Sequence, residues 1–353
     1  ATAALLEPAE LKGVCAETAA SPISATSGPM KAFLDAYRAA YRSEPDAFAE
    51  ELATAEVPMV APLRLLGRTL HRHHGFLFSV SPARGGRRPE LDDPEVLEWI
   101  GRLLARLHQV GAARPFERRP ALDAQTFGSE PLAWLLEQGD LPPEAAGRWR
   151  ETAQAALTLA TEAMTACAPQ GRIATLRLHG DCHPGNILWT PDQGPHFVDL
   201  DDSRSGPAVQ DLWMLLSGDR QQQQRQLGAL LDGYETMRDF DRRELALIEP
   251  LRTLRLLHYS AWLARRWDDP AFPHSFPWFG SERYWGEQVL MLREQLAASD
   301  VQLWSATGQL LVAFVRQSTS QIVLMFEQII LRVLVVVLFG KIELDRTGHH
   351  QDS

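Results

Sequence analysis

Lysine is almost missing from this chain. Only Lys12, Lys31 and Lys341 occur in 353 residues, although Lys and Arg together number 35. The basic side chains are nearly all guanidinium, so a mechanism that needs an amine has three places to find one. Cysteine is as sparse: Cys15, Cys167 and Cys182 are an odd set without a CxxC pair. That excludes a disulfide scaffold or a zinc ribbon and fits a reducing compartment. No basic start followed by an apolar run marks a signal peptide, so the expected location is the cytoplasm. With 45 acidic residues and a formal charge of −10, the chain lacks the basic footprint of a nucleic-acid binder. Long apolar runs are short of what a membrane needs. "QIVLMFEQIILRVLVVVLFG" is interrupted by Glu327, Gln328 and Arg332. Its unbroken part, Val333–Phe339, is far below the ~20 residues of a span, and the segment reads as an amphipathic helix.

What is present supports a sizeable core. The 45 % hydrophobic content and the length suit two domains, or one large domain with an appendage. Residues 1–30 are rich in Ala, Ser, Thr, Gly and Pro and read as loop or disorder, an aberrant N-terminal segment. Residues 31–56 carry a helical pattern in which Pro45 separates two helices. Short apolar runs then predict strands near Leu63–Leu66, Thr69–His71 and Phe76–Ser79, with Gly67 and Gly75 as turns. His71, His73 and His74 fall in a solvated turn. "PARGGR" is a flexible connector.

From Pro94 the period becomes helical. Asp92 and Asp93 precede the start, and Gly111 ends a helix with Leu97, Ile100, Leu103, Leu104 and Leu107 on one face. Further helices are predicted over Glu130–Gln138, Pro143–Cys167, Ala208–Ser217, Gln221–Thr236, Arg242–Arg266 and Ser281–Ala298. Strand signals return only at Ile187–Thr190 and Phe197–Leu200. The expected fold is α+β and two-lobed, like a protein kinase. Residues 1–30 lead into a partial N-terminal lobe and hinge at 31–86, a helical C-terminal lobe at 87–298 and an atypical tail at 299–353.

The chemistry gathers in "LRLHGDCHPGNILW" and "HFVDLDDSRSG". Asp181 and Asn186 have the D-x-x-x-x-N spacing of a kinase catalytic loop, and Asp199 follows on a short apolar strand. Phosphoryl transfer from ATP needs a carboxylate to orient and deprotonate a hydroxyl, and oxygen ligands for Mg²⁺. Asp181 fits the first task; Asn186 and Asp199 fit the second. Gly180 and Gly185 would let the loop turn. Asp211, near a helix start, could accept hydrogen bonds from the loop backbone. "HGDCH" also permits a His/Asp metal cluster of a hydrolase, but no second His pair supports it. Asp201 and Asp202 read either as a solvated turn or as neighbours of the metal. Cys182 reads as a packing residue, since no base accompanies it.

These two segments, with "GPAVQDLWMLL", "IEPLRTLRLLHYSAWLARRWDDPAFP" and "FPWF…YW", resemble the bacterial stress response kinase A family from about Val57 to Leu296. Its members are serine/threonine protein kinases with a fold similar to aminoglycoside and choline phosphotransferases. The resemblance implies Asp181 as the catalytic Asp. It makes Asn186 and Asp199 the Mg²⁺ ligands, Asp199 counting also as an active-site residue. Val80–Gly86 becomes the adenine hinge, with Val80 and Ser81 at the nucleotide. It also implies ATP and Mg²⁺ as cofactors, a protein acceptor and a monomer.

The family's phosphate-covering strand pair and its lysine-bearing strand are not recognisable, so the N-terminal lobe is expected to be incomplete. Lys31 is the candidate ATP lysine, with a surface helix lysine as the other reading; Glu44 is its candidate partner. A frame change at both termini would account for both ends. Two other functions stay open. One is phosphorylation of a small molecule, with Asp268 and Asp269 forming a pocket for a cation. The other is a catalytically impaired kinase-like binding protein. Trp278 and Tyr284 read as packing in the C-terminal lobe, or as part of an acceptor groove.

Overall fold

The structure, a computed structural model, describes residues 14–19, 43–73, 76–139, 141–167 and 174–299. Lys31, His74, Gly75 and the 300–353 tail lie outside the described residues. In chain order the elements are β1 (Val14–Ala19), α1 (43–54), β2 (His71–His73), β3 (Phe76–Pro82), α2 (Pro94–Ala112), α3 (Glu130–Gln138), α4 (Pro143–Ala166) and β4 (Leu176–Leu178). They continue with β5 (Ile187–Thr190), β6 (Gly194–Phe197), β7 (Arg204–Gly206), α5 (Val209–Trp213), α6 (Arg220–Glu235), α7 (Ile248–Ala264), α8 (Ala271–Ser275) and α9 (Glu282–Ser299).

The front part is a three-stranded antiparallel sheet in the order β1-β3-β2. Val14–Ala19, expected as loop, pairs along β3 from Pro82 to Leu77. Leu63–Leu66 is not a strand. Leu65 and Arg68 instead close a two-residue turn, exchanging N–H to O bonds of 2.8 and 3.1 Å. Leu66 and Gly67 both have positive φ, 52° and 77°, the requirement of a type I′ turn. His71 and His73, placed in a turn by the sequence, form β2 with Arg72. Pro45 sits in the first turn of α1, where its missing N–H has no partner to lose, and the helix expected before it falls on residues outside the described ones.

The rear part is helical. Asp93 caps α2 by accepting from Glu95 N, with Pro94 at the first position. The five apolar residues expected on one face are all buried. Gly101 lies where α2 meets α6 so closely that a Cβ there would stand 2.1 Å from Leu230 O. Gly101→Ala should therefore force two backbones apart and cost about 3 kcal/mol, seen as a Tm lowered by several degrees in a thermal melt. An unchanged Tm would show that the two helices can separate without loss. The expected single helix Arg242–Arg266 is broken. A 3-10 turn, Arg242–Leu247, precedes α7, and Pro250 in the first turn of α7 has no N–H to continue an α-helix from that turn.

One buried side chain ties the front part to the strand before the Asp181 loop. Arg177 of β4 lies over the Phe48 ring, 4.4 Å from its centroid, and donates to Glu51 Oε2 at 2.6 Å and Val110 O at 3.0 Å. Burial would raise the Glu51 carboxyl, but Arg177 and Arg114 hold it below its ordinary value.

Candidate active site

Asp211 is fully buried and organises the loop after β4. Its Oδ2 accepts from His179 N at 2.8 Å and its Oδ1 from Gly180 N at 2.9 Å, the role expected of it. His108 Nε2 lies 3.0 Å from Oδ2, and His108 Nδ1 lies 2.9 Å from the Tyr234 hydroxyl. Asp211 accepts there, so Nε2 carries a proton. Burial pushes the Tyr234 phenol upward, which keeps it a donor. Gly180 has φ +84°, and a Cβ there would meet Asp202 O at 2.3 Å; no other residue fits this turn. Gly185, in contrast, has no positive φ, and its N–H is held by His183 Nδ1 at 2.9 Å.

The loop is fastened to the second strand through Val198. Its N–H donates to Asn186 O at 3.1 Å and its carbonyl accepts from His179 Nε2 at 2.9 Å. These bonds take the place of a ladder. The strand expected at Phe197–Leu200 lies earlier, as β6 at Gly194–Phe197, and Asp199, two residues past its end, has φ +63°. Such a backbone is uncommon for a side chain larger than glycine and is tolerated best by Asp and Asn. The β5–β6 hairpin thus brings Asp199 to the loop that carries Asp181 and Asn186.

The donor chemistry fits Mg²⁺. Asn186 Nδ2 is engaged with Asp181 O at 3.0 Å, which leaves Oδ1 for a cation. Burial pushes the Asp199 carboxyl above its ordinary range; a desolvated carboxylate is the group a divalent cation best compensates. Magnesium takes one or two protein oxygens and completes its octahedron with water and phosphate oxygens. A His/Cys/Asp/Glu cluster able to hold a metal alone is absent among the described residues. His179, from the hydrolase reading, is instead spent on Val198 O. The Cys182 thiol is fully buried and pushed well up by that burial, which leaves it inert.

A cleft opens above Asp199, lined by Asp46, Met59, Ser79, Ser81 and Asp201 among others. Ser81 of the expected hinge faces it. Val80 does not: its side chain is fully buried, and its carbonyl accepts from Leu63 N at 2.7 Å. Successive residues of a strand point to opposite faces, so Ser79 and Ser81 are the pair at the cleft. Glu44, whose expected partner Lys31 lies outside the described residues, is held by a neighbouring backbone. Its carboxylate accepts the backbone N–H groups of Glu117, Arg118 and Arg119 at 3.0 to 3.3 Å. Asp46, two residues on, lines the cleft together with Asp199 and Asp201. Burial raises its carboxyl to about 6, and its Oδ2 has no hydrogen-bond partner.

Of the two following acids, Asp201 is exposed and lines the cleft. Asp202 pairs with Arg204 at 3.1 Å. Burial would raise Asp202, but Arg204, His258, Arg119 and Arg255 hold it low. Asp181 itself meets a cation that the sequence did not announce: Arg255 Nη2, from α7, lies 2.7 Å from its Oδ1. Tyr284 is buried, its hydroxyl 2.8 Å from Ser260 Oγ, while Trp278 is exposed. Asp268 and Asp269 lie in the turn after α7.

A family model described as the phosphotransferase enzyme family matches residues 31–248. Stress response kinase A of Escherichia coli K12 is 46 % identical over 251 residues, covering 70 % of this chain and 74 % of that protein. Serine/threonine protein kinase RdoA of Salmonella typhimurium is 46 % identical over 248 residues, with the same shares. The chain belongs to the stress response kinase A family. Among solved structures, amicoumacin kinase hAmiN in complex with AMP-PNP, Ca²⁺ and Ami is similar at TM-score 0.55 and 18 % identity, over 73 % of this chain and 78 % of that one. A microcompartment-associated aminopropanol kinase is similar at TM-score 0.52 and 18 % identity, over 76 % and 83 %. The chain therefore has the two-lobed kinase-like fold, with strands in the front lobe and helices in the rear one. It is a phosphotransferase-type protein. Among the described residues, no helix is long and apolar enough to cross a membrane.

Proposed function

We propose that this protein transfers the terminal phosphoryl group of ATP, with Mg²⁺, to serine or threonine hydroxyls of a protein acceptor. The observation that carries the reading is the fastening of three groups to one another. Asp211 clamps the Asp181–Asn186 loop, and Val198 joins that loop to Asp199. Asp181 takes the role of base or orienter for the acceptor hydroxyl. Asn186 and Asp199 are the residues to hold the metal, which supplies charge neutralisation at the phosphates when bound. Ser79 and Ser81 line the nucleotide side of the cleft, and Asp46 offers a carboxylate to a cation there. Transfer of this kind depends on positioning and electrostatics more than on covalent help from the protein, and the buried clamp supplies the positioning. The protein acceptor follows from the 46 % identical relative, a serine/threonine protein kinase.

The test is calorimetry of Mg²⁺·ATP on the full chain beside Asp199→Ala, followed by mass spectrometry of a generic protein acceptor. The expected result is nucleotide binding that weakens at least about tenfold in the variant, and phosphoserine or phosphothreonine on the acceptor. Tight binding indifferent to Asp199 would remove the metal role. Phosphate found only on small hydroxyl compounds would remove the protein acceptor.

A further inference from the structure

The α7 helix turns a stripe toward Asp181. Arg255 reaches Asp181 Oδ1 at 2.7 Å. Tyr259, one turn on, lies within electrostatic reach of both Arg255 and Asp181. Its ring is parallel to that of Trp262, with centroids 5.9 Å apart at 9°, and the Arg266 guanidinium lies 4.7 Å from the Trp262 ring centroid. Positions 255, 259 and 262 follow the i, i+4, i+7 spacing of one helix face, Arg266 lies in the turn after α7, and all four are partly exposed. The aromatic surface continues from Trp262 to Phe276 at 6.1 Å and from Phe276 to the exposed Trp278 at 5.8 Å.

Resting on the reading of Asp181 as the group that meets the acceptor hydroxyl, we infer that this stripe is the acceptor platform and that it selects an anionic group beside that hydroxyl. In the protein-kinase reading, that group is an acidic side chain flanking the serine or threonine. From Arg255 to Trp267 the segment contains no carboxylate. Asp181 and Asp202 are carboxylates that act on Arg255. A guanidinium has five N–H donors in a fixed fork, so one contact through Nη2 leaves donors for a second carboxylate. An acceptor bearing an ammonium group would place like charge beside Arg255. Tyr259 and Trp262 supply flat apolar area for a peptide; Trp, Tyr and Arg are the residue types that carry most binding energy at interfaces. Arg255 thus disfavours a cationic small acceptor, the alternative in which Asp268 and Asp269 form an acidic pocket.

The test is steady-state kinetics of the full chain with Mg²⁺·ATP on three peptides. They share one serine and differ only in its flanking residues, Asp, Ala or Arg. The expected kcat/KM falls about tenfold from Asp to Ala, as for loss of a charged hydrogen bond, and further for Arg. Arg266→Glu should shrink that preference with Mg²⁺·ATP affinity unchanged, and Arg255→Gln should erase it. Equal kcat/KM across the three peptides, or a preference for Arg, overturns the inference. If no peptide reacts, a second panel decides between the two readings. Turnover of hydroxy acids above amino alcohols keeps the anionic site and removes the protein acceptor. Turnover of amino alcohols above hydroxy acids, or of neither, overturns the inference as well.

Discussion

Asp211→Ala is expected to cost about 4 kcal/mol of stability and, in whatever folds, to lower phosphotransfer by about a hundredfold. The substitution removes the acceptor of three buried donors at once: His179 N, Gly180 N and His108 Nε2. Each buried donor left without a partner costs about 1–3 kcal/mol, and breaking a buried charged pair costs about 3–5 kcal/mol. The catalytic effect has a separate origin. Gly180 adjoins Asp181, so releasing its N–H releases the loop that aims Asp181. A displacement of about 1 Å at such a loop can cost a hundredfold in rate. Asp211→Asn is the gentler probe. It keeps the shape and one acceptor but points an amide N–H₂ at a donor, and should cost about half as much. The checks are a denaturant melt and kcat for both variants. A stable Asp211→Ala protein with normal kcat would show that the loop holds itself.

Asp211 shows why part of the site was legible. A short polar side chain in an apolar helix start has one purpose, to accept bonds from a neighbouring backbone, and the nearest loop was the one with Asp181. The face of α2 was legible because five leucine or isoleucine residues recur at helical spacing, and burial follows that spacing. β4 and β7 were not, because three residues each give no period to count; Leu176–Leu178 and Arg204–Gly206 are strands only by pairing with each other. Val14–Ala19 was missed for a related reason. "VCAETA" has the small residues of a loop, and its strand state comes from the partner β3. Asp46 and Glu44 differ by two positions on a helix, about 200° around the axis. Sequence distance alone could not say which one faces the cleft. Nothing local announces that Arg255 meets Asp181 either: that contact exists only once α7 packs beside the loop.

The same contact bears on the largest expected loss of activity. Asp181→Asn should lower kcat by about 10²–10⁴, the usual contribution of a positioned general acid or base, or about 3–5 kcal/mol of transition-state stabilisation. The amide matches the carboxylate in shape and can still accept from Arg255 through its oxygen, but it cannot take a proton from the acceptor hydroxyl. Asn186 keeps its bond to the Asp181 backbone oxygen, so the loop has no cause to move. Mg²⁺·ATP affinity should therefore stay within about threefold and the Tm within a few degrees, since the lost charge is partly solvated and its pair with Arg255 is partly exposed. This separates the two aspartates physically. Loss of Asp211 moves stability and rate together, because it removes buried partners from a backbone. Loss of Asp181 moves chiefly the rate, because besides the proton acceptor it removes only the charge of a partly exposed ion pair. If kcat holds in Asp181→Asn and only the acceptor KM rises, Asp181 orients the hydroxyl without accepting its proton. The base must then be sought in bulk water or in the phosphoryl oxygens themselves.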